Sequence, residues 1–100
     1  MIEVRQTPIF RSWMAGLKDL HAQARIAVRI DRLADGNPGD VKSIGDGVSE
    51  MRIDYGPGYR LYFTRSGNII VVLLCGGDKQ SQDKDIRRAR ALAKEIHDAS

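Results

Sequence analysis

The sequence predicts an α+β domain, with a small twisted antiparallel sheet, two N-terminal helices packed on one side and a C-terminal helix. Three observations carry that expectation. Between Val48 and Gly77, three strand-like segments follow one another across two glycine-containing turns. Ahead of them lie two stretches with apolar residues at helical spacing, and a third such stretch closes the chain. At 100 residues the chain suits one domain with a modest core, residues 1–100.

Taken in order, Ile2 to Arg5 forms a short strand, at an edge or paired with a later strand. Thr7-Pro8 starts a helix, threonine as cap and proline in the first turn. Phe10, Trp13, Met14 and Leu17 then make an apolar stripe at i, i+3, i+4 and i+7. Gly16 weakens the end of that helix, and Asp19 caps the next. From Leu20 to Ala34 the stripe is Ala27, Ile30 and Ala34, flanked by Ile26 and Leu33. Arg25, Arg29, Asp31 and Arg32 fall on the opposite surface. Gly36-Asn37-Pro38-Gly39 stops the second helix, and the two helices are expected to pair as a hairpin.

Asp40 to Gly45 is a further short strand before a loop at Asp46-Gly47. Ser49 to Tyr55 alternates Glu50, Arg52 and Asp54 with Met51, Ile53 and Tyr55, the period of a half-buried strand. Gly56-Pro57-Gly58 breaks it. Tyr59 to Arg65 follows with Leu61 and Phe63 on one side and Arg60, Tyr62 and Thr64 on the other. After Ser66-Gly67-Asn68, Ile69 to Cys75 is apolar throughout, as in a strand covered on both faces. Gly76-Gly77 is read as tight backbone geometry. Ser81 is a candidate cap for a helix from Gln82 to Asp98, with Ile86, Ala89, Ala93 and Ile96 on one stripe. The expected product is a sheet with an apolar back, and a front carrying Arg52, Arg60 and Tyr62.

Composition excludes several classes. The chain is 42% hydrophobic and 29% charged, with a formal charge of +3, a weak pointer to nucleic acid. The single cysteine, Cys75, lies in the most apolar segment and reads as a buried, inert thiol. The opening residues lack the apolar run of a signal peptide, and Ile69 to Cys75 is far too short to span a membrane. A cytoplasmic protein with no membrane association is expected. There is no closely spaced Cys/His set, and Gly56-Pro57-Gly58 lacks the lysine-serine of a nucleotide-binding loop, so neither metal nor cofactor is expected.

Two motifs stand out: RxxYGPGYRxYF from Arg52 to Phe63, and GGDKxxQxxDI from Gly76 to Ile86. In combination they resemble the RelE/ParE superfamily of bacterial toxins, in the HigB-like branch also described as phage-derived Gp49-like. The resemblance spans nearly the whole chain. It implies the toxin of a type II toxin–antitoxin module, neutralised by a cognate helix-turn-helix antitoxin. Many members are ribosome-dependent endoribonucleases that cut mRNA without metal, whereas ParE members poison DNA gyrase by protein binding. A non-catalytic binding member of the fold is a third possibility.

RNA cleavage by the 2′-hydroxyl needs a base, a cation for the developing phosphorane charge, and an acid for the leaving oxygen. Neither histidine suits: His21 begins one helix and His97 ends another. Arg60 corresponds to the family's central phosphate-binding arginine, and its planar fork suits a phosphoryl group. The plainer alternative is an arginine paired with Asp54 or Glu50 across the hairpin. Arg52 shares that face as a second positioning cation or a salt-bridged sheet residue. Lys79, after Gly76-Gly77-Asp78, is a third catalytic candidate. For RNA binding the candidates are Tyr62, by stacking or hydrogen bonding, Gln80, Gln82 and Arg87. For the basic last helix, a solvated face remains the ordinary alternative.

Overall fold

The computed structural model describes residues 2–99. The chain order is β1 (Glu3–Gln6), α1 (Pro8–Ala15), α2 (Leu20–Ala34), β2 (Val41–Gly45), β3 (Val48–Ile53), β4 (Tyr59–Ser66), β5 (Ile70–Gly77) and α3 (Gln82–Asp98). One five-stranded sheet has the order β1-β5-β4-β3-β2. Its β2–β5 part is antiparallel throughout, but β1 pairs with β5 in parallel, Glu3 opposite Ile70. The sheet is therefore mixed, not purely antiparallel. The chain leaves β1 through two helices and three strands before reaching β5, so no hairpin forces the two to run in opposite directions.

Local sequence explains most element ends. Thr7 Oγ1 accepts from Phe10 N at 3.0 Å and donates to Leu74 O at 2.6 Å, capping α1 and tying it to the sheet. Asp19 caps α2 through His21 N and Ala22 N. At the other end Gly36 takes φ +86° and Asn37 N reaches back to Arg32 O at 2.8 Å. Asp46 and Gly47, both at positive φ, make the two-residue turn between β2 and β3.

Both faces of the sheet are covered. Phe10 of α1 and Ile26 and Leu33 of α2 pack with Met51, Ile53, Leu61, Phe63, Val71 and Leu73 on one face. On the other, Ala89 and Ala93 of α3 close over Val48, Tyr62, Leu74 and Cys75. The expected open front is thus largely roofed by α3. Along α2 the fully buried residues are Ala22, Ile26 and Leu33, while Ala27 is exposed. The inward stripe is rotated from the expected one, and Arg29 is drawn inward with it.

A register shift between Tyr62 and Phe63 sets Tyr62 opposite Cys75 and Phe63 opposite Leu73. Leu74 is the extra residue, so Leu74 and Cys75 both join the α3 side. The paired glycines sit where β5 is approached from each face. A Cβ on Gly76 would lie 2.6 Å from Trp13 Cδ2, and one on Gly77 would lie 2.8 Å from Ser81 Oγ and Asp85 Cγ. Only glycine leaves room for both helices.

Candidate functional site

At the turn end of the β3–β4 hairpin, the register sets Arg52 directly opposite Arg60, with Glu50 opposite Tyr62 one step further from the turn. Strand alternation puts all four side chains on the α3 face. Beyond the N-terminus of α3 that face opens into a depression of about 330 Å³, lined by Asp40, Arg52, Asp54, Gly58, Arg60 and Lys79 among others. The three residues expected to be catalytic thus share one pocket.

Two like charges directly opposite on a sheet repel, and something must offset that. Here it is Glu50, which is 1% exposed. Its Oε2 lies 3.7 Å from Arg60 Nε and its Oε1 lies 4.0 Å from Arg52 Nε. Tyr62 Oη and Gln82 Nε2 each donate to the same Oε2 at 3.0 Å. Arg60 Nη1 donates to Gly58 O at 2.9 Å, and Arg52 Nε lies 3.8 Å from Asp40 Oδ2. Even so, both Nε atoms are buried without a hydrogen-bond partner. The expected alternative of an Arg60–Glu50 pair is present in the structure, and it coexists with the pocket.

The surrounding frame is fixed from several elements. Arg29 of α2 donates to Arg52 O at 2.7 Å and to Pro38 O at 3.0 Å, clamping the end of β3 to the preceding loop. Tyr55 Oη donates to Asp19 Oδ2 at 3.0 Å, and the Arg25 guanidinium lies 4.6 Å from the Tyr55 ring centre. That hydrogen bond, then the one from Ala22 N, holds the Asp19 carboxyl below its ordinary range, and the same contact raises the Tyr55 phenol. The glycine turn bearing Gly58 is so pinned to the start of α2.

The nucleotide-contact candidates divide. Gln80 is exposed beside Lys79. Gln82 is engaged with Glu50 rather than turned outward. Tyr62 is fully buried, so its ring is closed to a stacking base; α3 lies over the position where an open face was expected. Burial first, then the charge of Glu50, pushes the Tyr62 phenol far up. Arg87 is exposed two residues past the buried Asp85 and does not line the pocket. Neither histidine lines it; His97 Nε2 lies 3.0 Å from Thr64 Oγ1, under the far end of α3. Burial pushes the Cys75 thiol up to about 12, with the charge of Asp85 adding to it.

The sequence carries no signal for the place of Arg29 here, and for Glu50 it suggests only a pairing with Arg60, not burial between two arginines. Glu50 shares the face of Arg52 in the alternation, but nothing local marks a carboxylate for burial. No group of three or more His, Cys, Asp and Glu residues that could hold a metal occurs among the described residues. No helix among them is long and apolar enough to cross a membrane.

Comparison with known proteins matches residues 12–97 to the family described as phage derived protein Gp49-like (DUF891). The chain belongs to the Gp49-like family. The matched span runs from within α1 almost to the end of α3, so it takes in the whole pocket. An uncharacterized protein of Haemophilus influenzae (strain Rd) is 52% identical over 95 residues, covering 95% of this chain and 96% of the relative.

Proposed function

We propose that this Gp49-like protein is a RelE/ParE-type toxin of a type II toxin–antitoxin module, acting as a ribosome-dependent endoribonuclease on mRNA. The observation that carries this reading is the Arg52–Arg60 pair, set opposite each other at the rim of a pocket that Lys79 also lines. Planar guanidinium groups suit the non-bridging oxygens of a phosphodiester, and two of them with an ammonium match the charge that builds in a phosphorane. Arg60 is the central phosphate ligand in this scheme, Arg52 and Lys79 assist, and Gln80 extends the contact along the strand. Unlike the two guanidinium groups, which stay charged, Lys79 is able to carry a proton, as are the carboxylates of Asp40 and Asp54 in the same pocket, and the proton-transfer roles stay open among them. The motifs from Arg52 to Phe63 and from Gly76 to Ile86 add the resemblance to the toxin superfamily.

The test maps RNA 5′ ends after brief induction of wild type and Arg60→Ala. The expected result is translation-dependent cuts at fixed positions within codons in wild type, lost in the variant while its thermal melt stays cooperative. Growth arrest with intact mRNA would overturn the nuclease reading and redirect the search to DNA gyrase. Stable expression without arrest would leave a binding protein, and the helix-turn-helix antitoxin would then need a different client.

A further inference from the structure

We infer that Glu50 is a positioning residue: its buried carboxylate orients the Arg52 and Arg60 guanidinium groups for the phosphodiester. The inference rests on the phosphate reading of the pocket and adds a residue that the reading does not use. Four observations point to it. Glu50 is 1% exposed, although nothing in its strand position requires an acid there. Its two oxygens face different arginines, Oε1 toward Arg52 and Oε2 toward Arg60. Its own orientation is fixed from two other elements, by Tyr62 Oη of β4 and Gln82 Nε2 at the first turn of α3. Finally, Nε of both arginines is buried and unbonded: beyond the Arg60 Nη1 bond to Gly58 O and Asp40 at 3.8 Å from Arg52, Glu50 reaches Arg60 at 3.7 Å and Arg52 at 4.0 Å by charge rather than in a closed bidentate pair.

That arrangement differs from a structural salt bridge. A carboxylate locked in a fork with one arginine would neutralise it and use its donors. Glu50 instead sits behind and between two cations, which stops them from splaying apart. Both arginines still line the pocket. A buried carboxylate paired with cations only at 3.7–4.0 Å is not a stability device in itself, since its desolvation offsets much of the attraction. Its place between the two guanidinium groups fits a role in aiming them. The Tyr62 hydroxyl and the Gln82 amide then act one step further out, each fixing the carboxylate.

The consequence separates binding from turnover. Glu50→Gln keeps the shape and removes a negative charge from beside the proposed phosphate position. General attraction for RNA is therefore kept or strengthened, while the arginines lose their fixed orientation. In a cleavage assay on mRNA-programmed ribosomes, kcat should fall by about tenfold to a hundredfold with KM unchanged or lower. Tyr62→Phe, which keeps the buried ring and loses only the hydroxyl, should shift both parameters the same way by a smaller factor. It serves as the second variant if Glu50→Gln folds poorly.

A spectroscopic measurement separates this proposal from the reading beneath it. The arginine Nε–H signals of Arg52 and Arg60 are recorded by 15N NMR, with and without a 2′-O-methylated trinucleotide that resists cleavage. In wild type both signals should be resolved, and both should move on adding the trinucleotide. In Glu50→Gln they should collapse toward the position of solvated arginines before any ligand is added. Wild-type Nε signals in the glutamine variant, or an unchanged kcat with only a lowered melting temperature, would overturn the positioning role. Wild-type signals that ignore the trinucleotide would overturn the phosphate reading itself, and the positioning role with it.

Discussion

Replacing Gly76 with alanine tests how closely α1 is seated on the sheet. The new Cβ would stand 2.6 Å from Trp13 Cδ2 and nearer still to Cε3 and Cζ3. Carbon atoms rest about 3.5–4.0 Å apart, so the indole must retreat by about 1 Å or more. It has little freedom to do so. The Phe10 ring centre is 5.7 Å away on one side, and Tyr59 meets the indole edge-on at 6.2 Å. Overfilling of this kind costs about 1–3 kcal/mol, and the gain from a stiffer unfolded chain returns about 0.4–1 kcal/mol. A net loss of about 1–2 kcal/mol follows, equivalent to a fall of about 4–16 °C in Tm for a domain of this size. Thermal melts followed by circular dichroism measure it, and fluorescence of the single tryptophan reports the displaced indole directly. In a Trp13→Leu background the same glycine substitution should cost much less, because the two changes share one contact. A Tm within about 2 °C of wild type, with unchanged emission, would refute the packing argument.

Two other outcomes follow from contacts outside the pocket. Thr7→Ala removes both the cap on Phe10 N and the donation to Leu74 O, and should lower stability by about 1–2 kcal/mol in urea unfolding; Thr7→Ser should recover most of it. Cys75 should resist iodoacetamide at pH 8 until urea unfolds the chain. Its pKa is raised from 9.0 to about 12 on folding, so the unfolded thiol ionises first as pH rises. That stability is fully present below pH 9 and is lost as pH climbs toward 12; Cys75→Ala should flatten this part of the stability–pH curve.

Much of this fold was legible because its signals are local. Threonine and proline at 7–8, the acid at 19 and the glycines at 36 and 39 mark helix ends by their own stereochemistry. The last helix was expected from Gln82 to Asp98 and lies there. Strand alternation also put Arg52 and Arg60 on one face, and their register made them neighbours. What periodicity does not carry is whether a face is covered. Glu50, Arg52, Arg60, Tyr62 and Thr64 form a row of polar or amphipathic residues, which reads as solvent-facing when each is taken alone. Tyr62 and Gln82 satisfy the Glu50 carboxylate, and Gly47 O and His97 meet the Thr64 hydroxyl, once α3 closes over them, so burial becomes acceptable only through partners distant in sequence. Alanine is an ambiguous guide on α2 for a similar reason, small enough for either side: the spacing points to Ala27 as core, where Ala22 serves. The parallel partner of β1 had no local signature at all.

The pairing of β1 with β5 orders the making of the protein in time. Strand β1 cannot be completed until β5 is synthesised; the hydrogen bond from Thr7 to Leu74 alone closes across 67 positions. At bacterial and eukaryotic synthesis rates that gap corresponds to roughly 3–13 s per chain. During this interval the nascent chain has two helices without the sheet they cover, and Arg52 and Arg60 arrive before Gly77 and Gln82 complete their surroundings. Assembly of the pocket consequently waits for β5 and the first turn of α3.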